Sequence, residues 1–219
     1  MISRPDISTA VSMLCRVMAA PKLVHLKAAK RVMRYLKGII GMGITYSACS
    51  QPSTDPLSAT YRDLRGYSDA DWASSGATEQ FRSTSGYLFT LHGGPISWRS
   101  ALQSGAPALS SQESEYIALN EAGKEALPLR GLLAELGFPS PGPVPLMEDN
   151  TAAISLTDEF FSSKRGKHIS LKYHWIRWQT AANEFSICHV PTRDQRADIL
   201  TKNLPPADFL RHRTALLTS

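Results

Sequence analysis

Apolar residues recur at helical spacing through the first 40 positions. Asp6, in RPDIS, is placed to cap a helix that continues through AVSMLCRVM and breaks at Pro21. A second helix is expected from about Lys22 to Lys37. In it Leu23, Leu26, Ala29, Met33 and Leu36 form one stripe, Lys27, Lys30, Arg31 and Arg34 fill the remaining surface, and Gly38 suits the C′ position. Residues 47 to 60, SACSQPSTDPLSAT, have no period and are rich in Ser, Thr and Pro, which reads as a linker. The expected organisation is a helical segment over 1–46, a linker over 47–62 and a second unit over 63–219.

The second unit opens with period-two runs. Strands are expected at 64 to 72, at GYLFTL from Gly86 and at PISWRS from Pro95, the last two joined through His-Gly-Gly as a hairpin. A long helix follows in SSQESEYIALNEAGKEAL, where Ser110 and Glu113 form a capping box. Pro128 is expected to kink or end it, leaving LRGLLAELG as a short helix closing at Gly137. VPLMED then reads as a buried strand, NTAAISLTDE as a short helix, KHISLKYHWIRWQTAA as a long helix and EFSICHV as a last strand. DQRADILTK and DFLRHRTALL read as two short helices. This order predicts a mixed five-stranded α/β sheet flanked by helices rather than a doubly wound one.

Composition narrows the class. At 219 residues and 42% apolar, the chain is long enough for one full core. No apolar run approaches the ~20 residues of a membrane span, and MISRPDISTAV lacks the core of a signal peptide, so no membrane partner and an intracellular address are expected. Cys15, Cys49 and Cys188 are far apart and suggest neither a disulfide framework nor a zinc site. Charge is uneven: Lys and Arg against Asp and Glu number eight to one over residues 1–40, six to fourteen over 41–159 and ten to four over 160–219. An acidic middle between basic ends suits a polyanion-binding protein with a cation site at its centre.

The carboxylates carry the chemistry. In GYSDADWASS, alternation places Tyr67, Asp69 and Asp71 on one side of a strand, where like charges call for a cation or a base. Glu113 and Glu115 lie two positions apart on a helix and point nearly opposite ways. Glu113 serves the cap, so Glu115 faces inward. Of Glu148 and Asp149 only one can share the side of Asp69, and Asp149, at the strand end, is the candidate. Asp194 and Asp198 are one helical turn apart, and spacing does not choose between them. Such a set is what two hard divalent cations need to hydrolyse a phosphodiester without a protein nucleophile. No G-x-S-x-G, P-loop or H-E-x-x-H motif offers another chemistry.

RPDISTAV, AAKRVMRYLKG, GYSDADWA, RSTSGYLF, ISWRS, ALSSQESEYIAL, EDNTAAI, KHISLKYHWIR and ADILTK occur in an order that resembles the C-terminal part of copia-type LTR-retrotransposon Pol polyproteins. That part comprises the end of the reverse transcriptase followed by its ribonuclease H. The resemblance implies a ribonuclease H-like fold and cleavage of the RNA strand of RNA:DNA hybrids. It makes Asp69, Glu115, Asp149 and Asp198 the catalytic, metal-binding carboxylates for two Mg²⁺ ions, with Mn²⁺ as a substitute. It also implies substrate contacts from His168, Lys172 and Arg177, and the reverse transcriptase and integrase parts of the polyprotein as partners. The implied location is the cytoplasmic virus-like particle, or the nucleus.

Departures qualify the likeness. Glu148 stands where the family usually has Cys, Pro128 and Gly131 interrupt a helix the family continues, and no Tyr-x-Asp-Asp polymerase signature is present. Asp71 is expected to pair with a base such as Arg82 or Arg99, or else to support the cluster from outside it. His189, Trp175 and Trp178 are expected to be packing residues. The alternative from another class is a catalytically inactive, hybrid-binding or structural remnant of such a polyprotein.

Overall fold

Strands β1 (Arg65–Asp71), β2 (Thr84–Leu91) and β3 (Gly94–Leu102) form an antiparallel meander, as the alternation in the sequence predicts. The turn between β2 and β3 is two residues long. His92 (φ 49°) and Gly93 (φ 77°) are both left-handed, the geometry that matches the twist of the flanking strands. Strand β4 (Val144–Glu148) runs parallel to β1, and β5 (Phe185–His189) parallel to β4, giving one mixed sheet in the order β3-β2-β1-β4-β5. This computed structural model describes residues 3–46, 64–74, 81–140, 142–158 and 175–218. The expected linker, His168, Lys172 and the first part of the helix expected from Lys167 lie outside them.

Before the sheet come two helices, α1 (Ser8–Cys15) and α2 (Leu23–Gly38). Helix α3 (Ser111–Glu135) then crosses the sheet, and α4 (Thr151–Asp158), α5 (Trp175–Ala181) and α6 (Pro206–Leu216) complete the fold. Its two faces carry separate cores. Phe89, Leu119, Ala122, Leu146, Ile176 and Phe185 fill the space between the sheet and α3 and α5. Tyr67, Leu88, Met147, Ile199, Leu200 and Leu216 fill the opposite side, under the C-terminal segment.

Helix α3 starts where its cap predicts. Ser110 Oγ accepts from the Glu113 amide at 3.1 Å, and the Glu113 carboxylate accepts from the Leu109 amide at 2.7 Å. It does not end at Pro128. Leu129 and Leu133 pack against the core, and Arg130 pairs with Glu184, so tertiary contacts outweigh the hydrogen bond that Pro128 cannot donate. The helix closes beyond Leu136 at Gly137 (φ 86°), where the Phe138 amide donates to the Leu133 carbonyl at 2.8 Å.

Two further expectations are corrected. DQRADILTK is not an α-helix but two 3₁₀ turns, Thr192–Asp194 and Arg196–Leu200, separated by an extended Gln195. Gln195 is fully buried and donates Nε2–H to the Ser68 carbonyl at 2.8 Å. Asp6 does not cap α1. It lies in a 3₁₀ turn, Pro5–Ile7, pairs with Arg4 at 2.6 Å and accepts from the Tyr35 hydroxyl at 2.6 Å. Its charge therefore ties the start of the chain to α2.

The N-terminal segment is attached to the sheet domain at several points. Thr9 Oγ1 donates to the Ile199 carbonyl at 2.7 Å, and Gly43 and Thr218 exchange backbone hydrogen bonds at 2.9 Å. Helix α2 nevertheless buries none of its residues, and Met33, on its apolar stripe, is 67% exposed. Among the described residues no helix is long and apolar enough to cross a membrane.

Candidate active site

Asp69 occupies the centre of the site because β1 is the middle strand and its odd-numbered side chains face the C-terminal segment. Asp69 is wholly buried. Its Oδ2 accepts from the Thr201 hydroxyl and its Oδ1 from Lys202 Nζ at 2.9 Å. Glu115 arrives from the first turns of α3, and Asp149 from the residue after β4. Carboxylate oxygens of Asp69, Glu115 and Asp149 all lie within 4.8 Å of one another. The structure thus brings together Asp69, from the side that alternation shares between it and Asp71, with the Glu115 and Asp149 that helix phase and strand alternation favoured.

Glu148 takes the other side of the sheet. It is fully buried, accepts from Ser68 Oγ at 2.9 Å and from the Asn150 amide at 3.1 Å, and has its carboxyl pushed well up, chiefly by burial. Where the resembled family has Cys, this chain thus holds a satisfied carboxyl group below the cluster.

Spacing left Asp194 and Asp198 open, and the turn geometry separates them. Asp194 is half-exposed beside Arg193. Asp198 is buried and faces Asp69 across Lys202, whose ammonium lies 2.8 Å from Asp198 Oδ1. Burial and the charge of Asp69 push the Asp198 carboxyl up to about 6, against the pull of Lys202. Glu115 is pushed up to about 11, first by burial and then by Asp69, Glu148 and Asp149. Its Oε2 is buried and has no hydrogen-bond partner among the described residues. Three carboxylates within 4.8 Å of one another, one of them with an unpartnered buried oxygen, form a donor set that fits a hard divalent cation.

The expected partners of Asp71 are engaged elsewhere. Arg82 donates Nε–H to the Gln103 carbonyl at 2.7 Å, and Arg99 pairs with Glu121 at 3.5 Å. Asp71 instead sits near the cluster with its carboxyl pushed up, by burial and by Asp69. Of the expected substrate contacts, Arg177 is described, and its Nε–H goes to the Leu156 carbonyl, joining α5 to α4. Trp175 packs on Phe185 as expected, with ring centroids 6.0 Å apart. Trp178 and His189 do not pack, since both are exposed; His189 is the last residue of β5, at the end of the strand order.

Three residues of the site went unnoticed in the sequence. Gln195 fastens the Asp198 turn to β1 and β4 through the Ser68 and Met147 carbonyls. Thr201 and Lys202 hold Asp69. Their signal was present in ADILTK, where they follow Asp198 by three and four residues and so share its side of a helical turn.

The sheet order, the α3 crossing and the acidic centre define a ribonuclease H-like domain. No family model matches the sequence. The chain is 38% identical over 207 residues to the retrovirus-related Pol polyprotein from transposon TNT 1-94 of Nicotiana tabacum, covering 94% of this chain and 14% of that protein. It is 39% identical over 207 residues to the Pol polyprotein from transposon RE1 of Arabidopsis thaliana, covering 94% of this chain and 13% of that protein. A solved RNase H1 isolated from compost, LC11-RNase H1, superposes with a TM-score of 0.45 at 16% identity, covering 64% of this chain and 93% of that one. Its homologues over nearly the whole of this chain are copia-type retrovirus-related Pol polyproteins from plant transposons, of whose length it spans about one seventh.

Proposed function

We propose that the chain hydrolyses the RNA strand of RNA:DNA hybrids with two Mg²⁺ ions, or Mn²⁺ in their place, held by Asp69, Glu115, Asp149 and Asp198 during retrotransposon reverse transcription. The observation that carries this reading is the meeting of Asp69, Glu115 and Asp149 within 4.8 Å, with Glu115 Oε2 buried and unpartnered among the described residues. Two ionised carboxylates at such a distance repel by about 3 kcal/mol at an effective dielectric constant of ~20, which favours a bound cation. Asp69, Glu115, Asp149 and Asp198 would hold the divalent ions, whose chemistry when bound would be activation of a water and stabilisation of the leaving oxygen of a phosphodiester.

The chain's own residues do the positioning. Thr201 and Lys202 fix both oxygens of Asp69, and Gln195 holds the turn that presents Asp198. The Ser68 hydroxyl, next to Asp69 in sequence, donates to Glu148 and supplies no nucleophile. In this reading His168, Lys172 and Arg177 contact the hybrid, whose RNA strand is recognised through 2′-hydroxyls across the shallow minor groove. The reverse transcriptase and integrase parts of the polyprotein are its proposed partners.

A labelled hybrid tests the proposal. The protein should cleave the RNA strand with Mg²⁺ and stop with a chelator, and Asp69→Asn and Asp149→Asn should fold and fail to cleave. Near-wild-type turnover by either variant would sink the assignment.

A further inference from the structure

Lys202 Nζ lies 2.9 Å from Asp69 Oδ1 and 2.8 Å from Asp198 Oδ1, bridging the central strand and the 3₁₀ turn. Among the described residues no other cation makes an ion pair with the four carboxylates assigned to metal. The position is built into the turn: the Lys202 amide donates to the Asp198 carbonyl at 3.0 Å, and the Thr201 hydroxyl beside it holds the other oxygen of Asp69. Its two partners are Asp198, the one of the four carboxylates outside the first cluster, and Asp69, which would serve both ions. Mg²⁺ binds oxygen at ~2.0 to 2.1 Å, so an ammonium touching the same two oxygens and an ion coordinated by them compete for one place.

We propose that Lys202 is a resident cation that fills the second metal position between Asp69 and Asp198 and must swing out before that ion loads. This inference rests on the two-metal reading above. Metals then enter in order, with the Asp69, Glu115 and Asp149 position first. The four-carbon stem of lysine and its partial exposure, 32% for the side chain, let the ammonium leave without moving the backbone. The cost of that departure is two ion pairs, which sets the second ion below the first in affinity.

Mn²⁺ binding to the full chain, followed by calorimetry and by electron paramagnetic resonance, tests this without any substrate. The wild type should bind one ion tightly and a second at least about tenfold more weakly, a modest share of what a unit charge ~4 Å away contributes at an effective dielectric constant of ~20. Lys202→Met should tighten the second ion by about tenfold or more and bring in the exchange coupling of a metal pair, whereas Lys202→Arg should not. Asp149→Asn should lose the tight ion. If Lys202→Met binds the second ion no better than the wild type, the resident-cation role is overturned while the metal reading stands. Failure of the wild type and Lys202→Met alike to bind Mn²⁺ would overturn both. Should Lys202→Met not fold, ¹⁵N-lysine-labelled wild type gives the same decision with Mg²⁺: the Lys202 ammonium signal should move at the second equivalent, and movement complete at the first refutes ordered loading.

Discussion

A Cβ atom on Gly86 would stand 2.8 Å from Cγ2 of Thr201. Gly86 is the residue paired with Asp69 across the β1–β2 ladder, so the absence of a side chain there is what lets the Asp198 turn lie against the sheet. Gly86→Ala should force the turn outward and lower stability by about 1 to 3 kcal/mol, the range for an overpacked methyl group. Urea unfolding and Mg²⁺ titration together check this. Wild-type stability with wild-type metal affinity would show that the turn has room to move.

The two glutamates at the start of α3 should separate cleanly. Glu115→Gln should abolish cleavage, because it removes a charge from the three-oxygen cluster. Glu113→Gln should cost little, because an amide oxygen can still accept from Leu109. Hybrid-cleavage rates of the two variants decide, and the opposite ranking would mean that the inward face of α3 is wrongly assigned.

Burial raises the Glu115 carboxyl from 4.5 to about 11 in the metal-free fold. Between those values the folded state holds a proton that the unfolded state has released, so metal-free stability should be greatest at low pH and fall as pH rises. Glu115→Gln should flatten this slope, and Mg²⁺ should oppose it, with binding that tightens as pH rises because the proton must leave. Unfolding in chelator at about pH 6 and about pH 9 provides the check. A stability that rises over this range in the wild type would contradict the assignment.

Lys27, Lys30, Arg31 and Arg34 stand exposed on α2. Replacing all four with Gln should leave the melting temperature in place and make hybrid affinity less sensitive to salt, since each lost phosphate contact releases fewer counterions. An unchanged salt slope would confine hybrid binding to the sheet domain. By contrast, Thr9→Val should cost about 1 kcal/mol through the lost bond to Ile199, without altering the slope.

What the sequence showed and what it hid follow from the range of the forces involved. Strand alternation and helix phase are local, and they were enough to favour Glu115 over Glu113 and Asp149 over Glu148 and to place the hairpin and the α3 cap, whereas alternation left Asp69 and Asp71 on one side and the family resemblance singled out Asp69. Pro128 misled because the packing of Leu129 and Leu133 that carries α3 past it is tertiary. Asp194 and Asp198 were indistinguishable because the expected helix is broken by Gln195, whose inward bonds reach residues far away in sequence. The spacing of Lys202 from Asp198 was legible in ADILTK but its role was not, since a lysine one turn after an aspartate is ordinary surface chemistry until Asp69 is brought beside it.

The bond from Thr9 to Ile199 spans 190 residues, and that from Thr201 to Asp69 spans 132. Contacts so distant along the chain close the largest loops and are reached late in folding. A polypeptide emerging from the ribosome presents Asp69, Glu115 and Asp149 well before the segment carrying Asp198 exists. The fold thus contains its own timetable: the fourth carboxylate can take its seat only after the segment from Gln195 to Lys202 has been made, well after the other three.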